Sequence, residues 1–361
     1  MWGGVKIAPF HWTVARSEHN MDTDNYIDLF DELDDNEQTD NFLNKGQRRQ
    51  RFPARHFKVV RDRSADFLKG QDDSSRSFNF TYKAARFEEW WLLESLGDFY
   101  EHQWITDVLR RLKGGKEASV YLCQASAESD APLVAAKVYR PRMLRNLKND
   151  QQYRAGRADL DASGNVIVND GDLHAMAQRT NYGEGLRHQS WIAYEFQTLE
   201  MLSEAGADVP KPYALEKNAI LMQYLGDVDT AAPTINSVKL DREEARRLFD
   251  RVVRNLDLLL SKERIHGDLS AYNILYWDGD ITLIDFPQVV HPEMNPSAWS
   301  IFQRDVTRVC QYFKSQGVKC NARKLAVDLW TSHGHRVVKE VDPSLLDAED
   351  PNDRKLWEKQ K

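Results

Sequence analysis

Cysteine is scarce in this chain. Its 361 residues include 3, Cys123, Cys310 and Cys320. The count is odd and the spacing is not that of a zinc site, which excludes a disulfide framework and a cysteine-built metal centre. They read instead as small buried apolar residues of a reducing compartment. Long apolar runs are missing as well. No stretch is long enough to cross a bilayer and the first residues carry no apolar signal region, so the expectation is a cytoplasmic protein with no membrane partner. Nor is there an excess of positive charge. A formal net charge of -7 excludes a general nucleic-acid coat. No internal repeat is visible. Hydrophobic residues, at 41%, still suffice for one bilobal domain or two ordinary ones.

What is present centres on Ile265-His266-Gly267-Asp268-Leu269-Ser270-Ala271-Tyr272-Asn273-Ile274-Leu275-Tyr276. An Asp and an Asn stand on a polar loop just before an apolar run. Soon after comes Leu283-Ile284-Asp285-Phe286-Pro287, with an Asp closing a short β-branched strand. Between them Trp277-Asp278-Gly279-Asp280 carries the Asp-Gly signal of a hairpin. Such a hairpin brings Asp268, Asn273 and Asp285 toward one volume. Oxygen donors of that kind suit a hard divalent cation that keeps waters and phosphate oxygens for itself.

The chain divides by composition. Residues 1–85 carry an acidic stretch, Asp22 to Asp40, followed by a basic one, Lys45 to Arg63, with Phe52 and Phe57 inside it. This reads as a solvated tail, largely disordered; the sharper reading is a basic arm that touches RNA. From Arg86 an apolar stripe (Trp91, Leu96, Phe99) predicts a helix. Gly114-Gly115 then opens a turn, and the alternating run Lys116 to Cys123 predicts a strand. Lys116 is followed by Glu117, not Ser or Thr, so the turn is no Walker loop, and the third glycine of the usual kinase loop is missing too. A second strand, Leu133 to Tyr139, holds Lys137 among apolar neighbours. A lysine there is costly unless paired; the alternative is an edge-strand lysine facing water.

Residues 143–187 read as a long irregular insertion. Within it Asp159 to Asp170 imitates a calcium loop, but a hairpin turn on Ala-Ser-Gly-Asn is the better account. A helix is predicted from Ser190, as N-cap, to Gly206. Glu195 lies at the edge of its stripe, either exposed to solvent or paired with Lys137. Ala219 to Gly226 predicts a buried strand leading into a linker, and Asp241 to Lys262 an amphipathic helix. Further helices are predicted around Arg304 to Phe313 and Leu325 to Trp330. His266 reads as a loop organiser and Asp305 as a helix cap or loop anchor. Residues 337–361 read as a charged tail.

Together these motifs resemble the RIO-type atypical serine/threonine protein kinases, over roughly Phe99 to Phe313. Gly115-Lys116-Glu117-Ala118-Ser119-Val120-Tyr121 is similar to that family's phosphate loop. His266 to Asn273 is similar to its catalytic loop, and Ile284-Asp285-Phe286-Pro287-Gln288 to its metal loop. The blend of motifs looks most like the family's bacterial branch. The resemblance implies an α+β, bilobal protein-kinase-like fold. The N-lobe, residues 86–222, has an antiparallel sheet and one key helix. The small, mostly helical C-lobe, residues 223–336, lacks an activation segment and peptide-docking helices, in keeping with the missing Ala-Pro-Glu motif.

It also implies the roles. Gly115 to Val120 cover the phosphates of ATP, Lys137 anchors them, and Glu195 holds Lys137. Met222 is the gatekeeper, with Gln223, Tyr224 and Leu225 as hinge. Asp268 is the catalytic base. Asn273 and Asp285 hold magnesium, for which manganese can substitute, and Asp285 is in addition the candidate nucleophile of an ATPase switch. The expected partners are ATP, a protein acceptor or the chain itself, and a ribosomal or RNA-associated partner. Two other readings compete: a small-molecule phosphotransferase of the aminoglycoside or choline kinase kind, and a nucleotide-binding scaffold without turnover.

Overall fold

In the computed structural model, residues 78–140 (Lys116 and Glu128 apart) and 156–337 are described. The expected tails lie outside these residues, save for 78–85 and Val337. Helix α1, Arg86–Glu101, buries Leu92, Leu96 and Phe99 completely. Their spacing puts all three on one face, which is why the segment is helical.

Strand β1, Ile105–Lys113, is a strand that the sequence did not announce. It pairs antiparallel with β2, Ala118–Ala125, through three register shifts. Each shift breaks the alternation that sequence reading relies on. Strand β3, Leu133–Tyr139, is buried along nearly its whole length. Helix α2, Asp170–Ala177, and helix α3, Asn181–Glu204, come next, then β4, Pro212–Glu216, and β5, Ala219–Gln223. The sheet order is β1-β2-β3-β5-β4. Lys137 therefore sits in the central strand, opposite Val120 on one side and Ile220 on the other, and the edge-strand alternative is overturned.

Two expectations about the insertion are corrected. It is not irregular throughout, since it contains α2 and the first turns of α3. Ser190 is not an N-cap: it lies inside α3, buried, where its hydroxyl accepts from the Leu160 N–H at 2.9 Å. The cap is Thr180, which accepts from the Gly183 N–H. Both Ser and Thr serve as caps, and the glycines at 183 and 185 masked the earlier start. The turn at 161–165 does form. Asp161 accepts from the N–H groups of Ser163 and Asn165, and Leu160 pairs with Val166.

After β5 the chain passes through a short 3₁₀ turn at Ile235–Ser237 to helix α4, Arg242–Ser261, capped by Asp241. Next come a second 3₁₀ turn, Ala271–Asn273, and the hairpin of β6, Ile274–Trp277, with β7, Asp280–Leu283. Asp278 and Gly279 both have positive φ, 49° and 79°, as a tight primed turn requires. Helices α5, Ala298–Ser315, and α6, Ala322–Ser332, complete the described chain. The main core gathers α4, the hairpin, α5 and α6 around Leu248, Leu256, Leu283, Phe286, Phe302 and Phe313. Helix α3 faces two ways. Its Leu199 and Leu202 belong to this core, while Ile192 packs with Tyr139 and Ile220 of the sheet.

Candidate active site

A cleft of about 540 Å³ opens between the sheet and the helical half. Strand β3 carries Lys137 to its floor, and α3 carries Glu195 up to meet it. Lys137 Nζ lies 2.7 Å from Glu195 Oε1 and 2.7 Å from Asp285 Oδ1. Lys137 is only 8% exposed and Glu195 2%, so neither charge would be tolerated without the other. Burial alone would pull the lysine's pKa down; Asp285 and Glu195 outweigh it and hold the pKa well above its ordinary value. Desolvation at the cleft floor would raise the Asp285 carboxyl, but Lys137 beside it keeps it below the usual carboxylate range. Both groups are charged at neutral pH.

Glu195 is held by more than the lysine. Tyr139 donates its hydroxyl to Oε2 at 2.7 Å, and the Phe286 N–H donates to Oε1 at 3.3 Å. The residue after Asp285 is thus tied directly to α3. Asp285 itself adopts φ 73°, a costly conformation for a residue with a side chain. Arg157 secures the residues just beyond it, donating to the carbonyls of Pro287 at 2.7 Å and Val289 at 3.0 Å while stacking over Tyr194 of α3.

The loop at 266–273 is built from α5 and the hairpin. His266 is 1% exposed; burial lowers its pKa despite the Asp285 charge nearby, so it is neutral. Its Nε2 is 3.1 Å from the Ile284 carbonyl, and its Nδ1 accepts from the Asp268 N–H. That pattern selects the Nε2–H tautomer. Asp305 of α5, 1% exposed, accepts from the Gly267 N–H at 2.8 Å, and Arg304 donates to the Gly267 carbonyl. Gly267 has φ 85°, and a Cβ there would lie 2.0 Å from the Gln288 carbonyl oxygen; only glycine fits. Asp268 is left with its carboxylate at the cleft, Arg308 Nη1 of α5 lying 2.7 Å from Oδ1.

Most of the sequence-predicted residues face this cleft. Gly115, Glu117, Ala118 and Val120 line its roof, and Met222, Gln223, Tyr224 and Leu225 its back. Asp268, Asp285, Lys137 and Glu195 line its floor and mouth. Lys116 lies outside the described residues. Ser119 is buried in β2 away from the cleft wall. Asn273 is 7% exposed and is not among the lining residues. Its amide donates to the Asp268 carbonyl at 2.9 Å and lies 3.4 Å from Asp268 Oδ2. Among the described residues no group of three or more His, Cys, Asp or Glu is placed to hold a metal.

Sequence reasoning missed Tyr139, Arg308 and Arg157. A signal existed for the first: two residues beyond Lys137 on a strand is the same face. None existed for the others, whose partners lie far along the chain.

The comparisons with known proteins bear on this arrangement. A profile of the RIO domain matches residues 119–325. The chain belongs to the RIO domain family. Its fold is accordingly kinase-like, an α+β architecture with a five-stranded antiparallel sheet. Similar proteins include the RIO-type serine/threonine-protein kinase Rio1 of Haloferax volcanii, 28% identical over 211 residues, which are 58% of this chain and 64% of the relative. The Methanocaldococcus jannaschii Rio1 is 28% identical over 233 residues, 64% of this chain and 73% of the relative. The serine/threonine-protein kinase RIO1 of Caenorhabditis elegans is 27% identical over 248 residues, 65% of this chain and 44% of that protein. The chain thus spans less than two thirds of the Haloferax and Caenorhabditis relatives. Among the described residues, no helix of this RIO protein is long and apolar enough to cross a membrane.

Proposed function

We propose that this RIO protein transfers the γ-phosphoryl group of ATP to a hydroxyl of a protein acceptor, itself included. The observation that carries this reading is the Lys137–Glu195–Asp285 network in one cleft with Asp268. A buried lysine charge held between two carboxylates has a use when phosphates arrive, because it can exchange Asp285 for their oxygens. The backbone from Gly115 to Ser119, small at Gly115 and Ala118, lets N–H groups approach those phosphates. Met222 to Leu225 receive the base.

Asp285 and the Asn273 side-chain oxygen would hold a divalent cation. Two protein oxygens suit magnesium, or manganese in its place, shared with phosphate oxygens, and not a metal caged by protein alone. The cation supplies neutralisation of charge on the phosphates. Asp268 takes the acceptor's proton as the new O–P bond forms and the bond to ADP breaks. The acceleration comes from positioning and electrostatics. The same floor supports a second branch, in which an Asp285 carboxylate oxygen attacks the γ-phosphorus as the bond to ADP breaks, and water then hydrolyses the acyl-phosphate to free phosphate and the carboxylate. A ribosomal or RNA-associated partner is what the family resemblance implies. A cytoplasmic location fits the three free thiols.

The test is labelled ATP with magnesium on wild type, Asp268→Ala and Asp285→Ala. A base-stable adduct lost in Asp268→Ala supports hydroxyl phosphorylation. A hydroxylamine-labile adduct lost in Asp285→Ala supports the acyl-phosphate branch. Wild type with neither adduct nor turnover would overturn the reading.

A further inference from the structure

Among the described residues, Arg308 is the one partner of Asp268 whose place is explained neither by the fold nor by the nucleotide. The three polar residues that α5 turns toward the loop differ in what they do. Asp305 and Arg304 bind the backbone of Gly267, which fixes the loop. Arg308 alone reaches the Asp268 carboxylate, at 2.7 Å. It does not line the nucleotide cleft, whereas Asp268 does. Asp268 therefore touches both the cleft and Arg308, and an acceptor hydroxyl presented to Asp268 comes close to the guanidinium. The pair is well exposed, 40% at Arg308 and 41% at Asp268. An ion pair so placed in water is weak, and a better anion can draw Arg308 away. Tyr272, on the same loop, is 62% exposed.

The pair constrains the acceptor. Arg308 takes one acceptor site on Oδ1 and the Asn273 amide lies 3.4 Å from Oδ2, so Asp268 keeps acceptor sites for an incoming hydroxyl with the guanidinium held beside them. An acceptor with a carboxylate beside its hydroxyl would engage both groups at once. Its carboxylate takes the guanidinium in a two-pronged pair, and its hydroxyl binds Asp268. We propose that Arg308 is a specificity-determining residue that selects a serine or threonine flanked by acidic side chains. This rests on the protein-kinase reading above and names its substrate class.

The experiment compares two serine peptides differing only in flanking residues, Asp and Glu in one and Asn and Gln in the other. The wild type should favour the acidic peptide by roughly tenfold or more in kcat/KM, mainly through KM. Arg308→Gln should bring that ratio near one, and Arg308→Lys should restore part of it. A merely structural role would lower kcat for both peptides and leave the ratio alone. A measurement on the wild type needs no variant: the acidic peptide with its serine replaced by alanine should inhibit competitively against the acceptor and not against ATP. Equal use of the two peptides, a ratio that survives Arg308→Gln, or no competition overturns the proposal while the kinase reading stands. A wild type that labels neither peptide nor itself and turns over no ATP overturns both.

Discussion

Tyr139 shows how much one hydroxyl can carry. Its O–H closes the second oxygen of Glu195 at 2.7 Å, in a site where both residues are essentially inaccessible. Burial, reinforced by the Glu195 charge, keeps the phenol protonated and so always a donor. Tyr139→Phe keeps the ring and strands a buried carboxylate oxygen. It should cost about 1–3 kcal/mol of stability and raise the KM for ATP more than it lowers kcat, because Lys137 loses its fixed partner. An unchanged KM would mean Glu195 needs no second support. Asp305 offers a test by pH. Burial lifts its carboxyl to about 6, against the pull of Arg304 and two backbone N–H groups. Because the folded pKa is raised, this group favours the fold most below its unfolded pKa near 4 and loses that contribution as pH rises through 6. A carbon-13 titration of the Asp305 carboxyl should show a midpoint near 6; one near 4 would contradict the burial argument.

Among the elements, the β6–β7 hairpin and the loop that feeds it contrast two glycines with the same backbone and different surroundings. Gly279 has φ 79° and only the end of the Arg247 side chain near a would-be Cβ, at 3.7 Å. Gly279→Ala should cost only the left-handed conformation, about 1–2 kcal/mol. Gly267 has φ 85° but faces the Gln288 carbonyl. Gly267→Ala must push the loop from the segment after Asp285, and should abolish ATP turnover as well as lower Tm further than Gly279→Ala. Equal losses in Tm would sink the distinction. The hairpin was legible in the sequence because Asp-Gly dictates a local turn. Strand β1 was not, because three register shifts scramble its alternation. The start of α3 was misplaced because Ser190, a good cap by type, is spent on the Leu160 N–H.

For the whole molecule, the cleft is where the sheet and the helical half are joined. Lys137 from the sheet reaches Asp285 from the helical half. A nucleotide bound there should stabilise both halves together. At a hundred times its Kd, ATP with magnesium should contribute about 2.7 kcal/mol, a rise in Tm of several degrees. Asp285→Asn or chelation of the metal should reduce that rise. A shift indifferent to both would place the nucleotide elsewhere.

The local signals were those that one stretch of chain can enforce: the Asp-Gly turn, the apolar faces of α1 and α4, and the loop motifs around Asp268 and Asp285. Each depends on neighbours within a turn or two, so residue type and spacing suffice. Tertiary structure decided the rest. It put β3 at the centre of the sheet, which made pairing of Lys137 obligatory. It joined Glu195 to both Tyr139 and the Phe286 N–H, and set Arg308 against Asp268 across forty residues of chain. Those contacts depend on which side chains are driven out of water together, and packing chooses them only when the whole chain has collapsed.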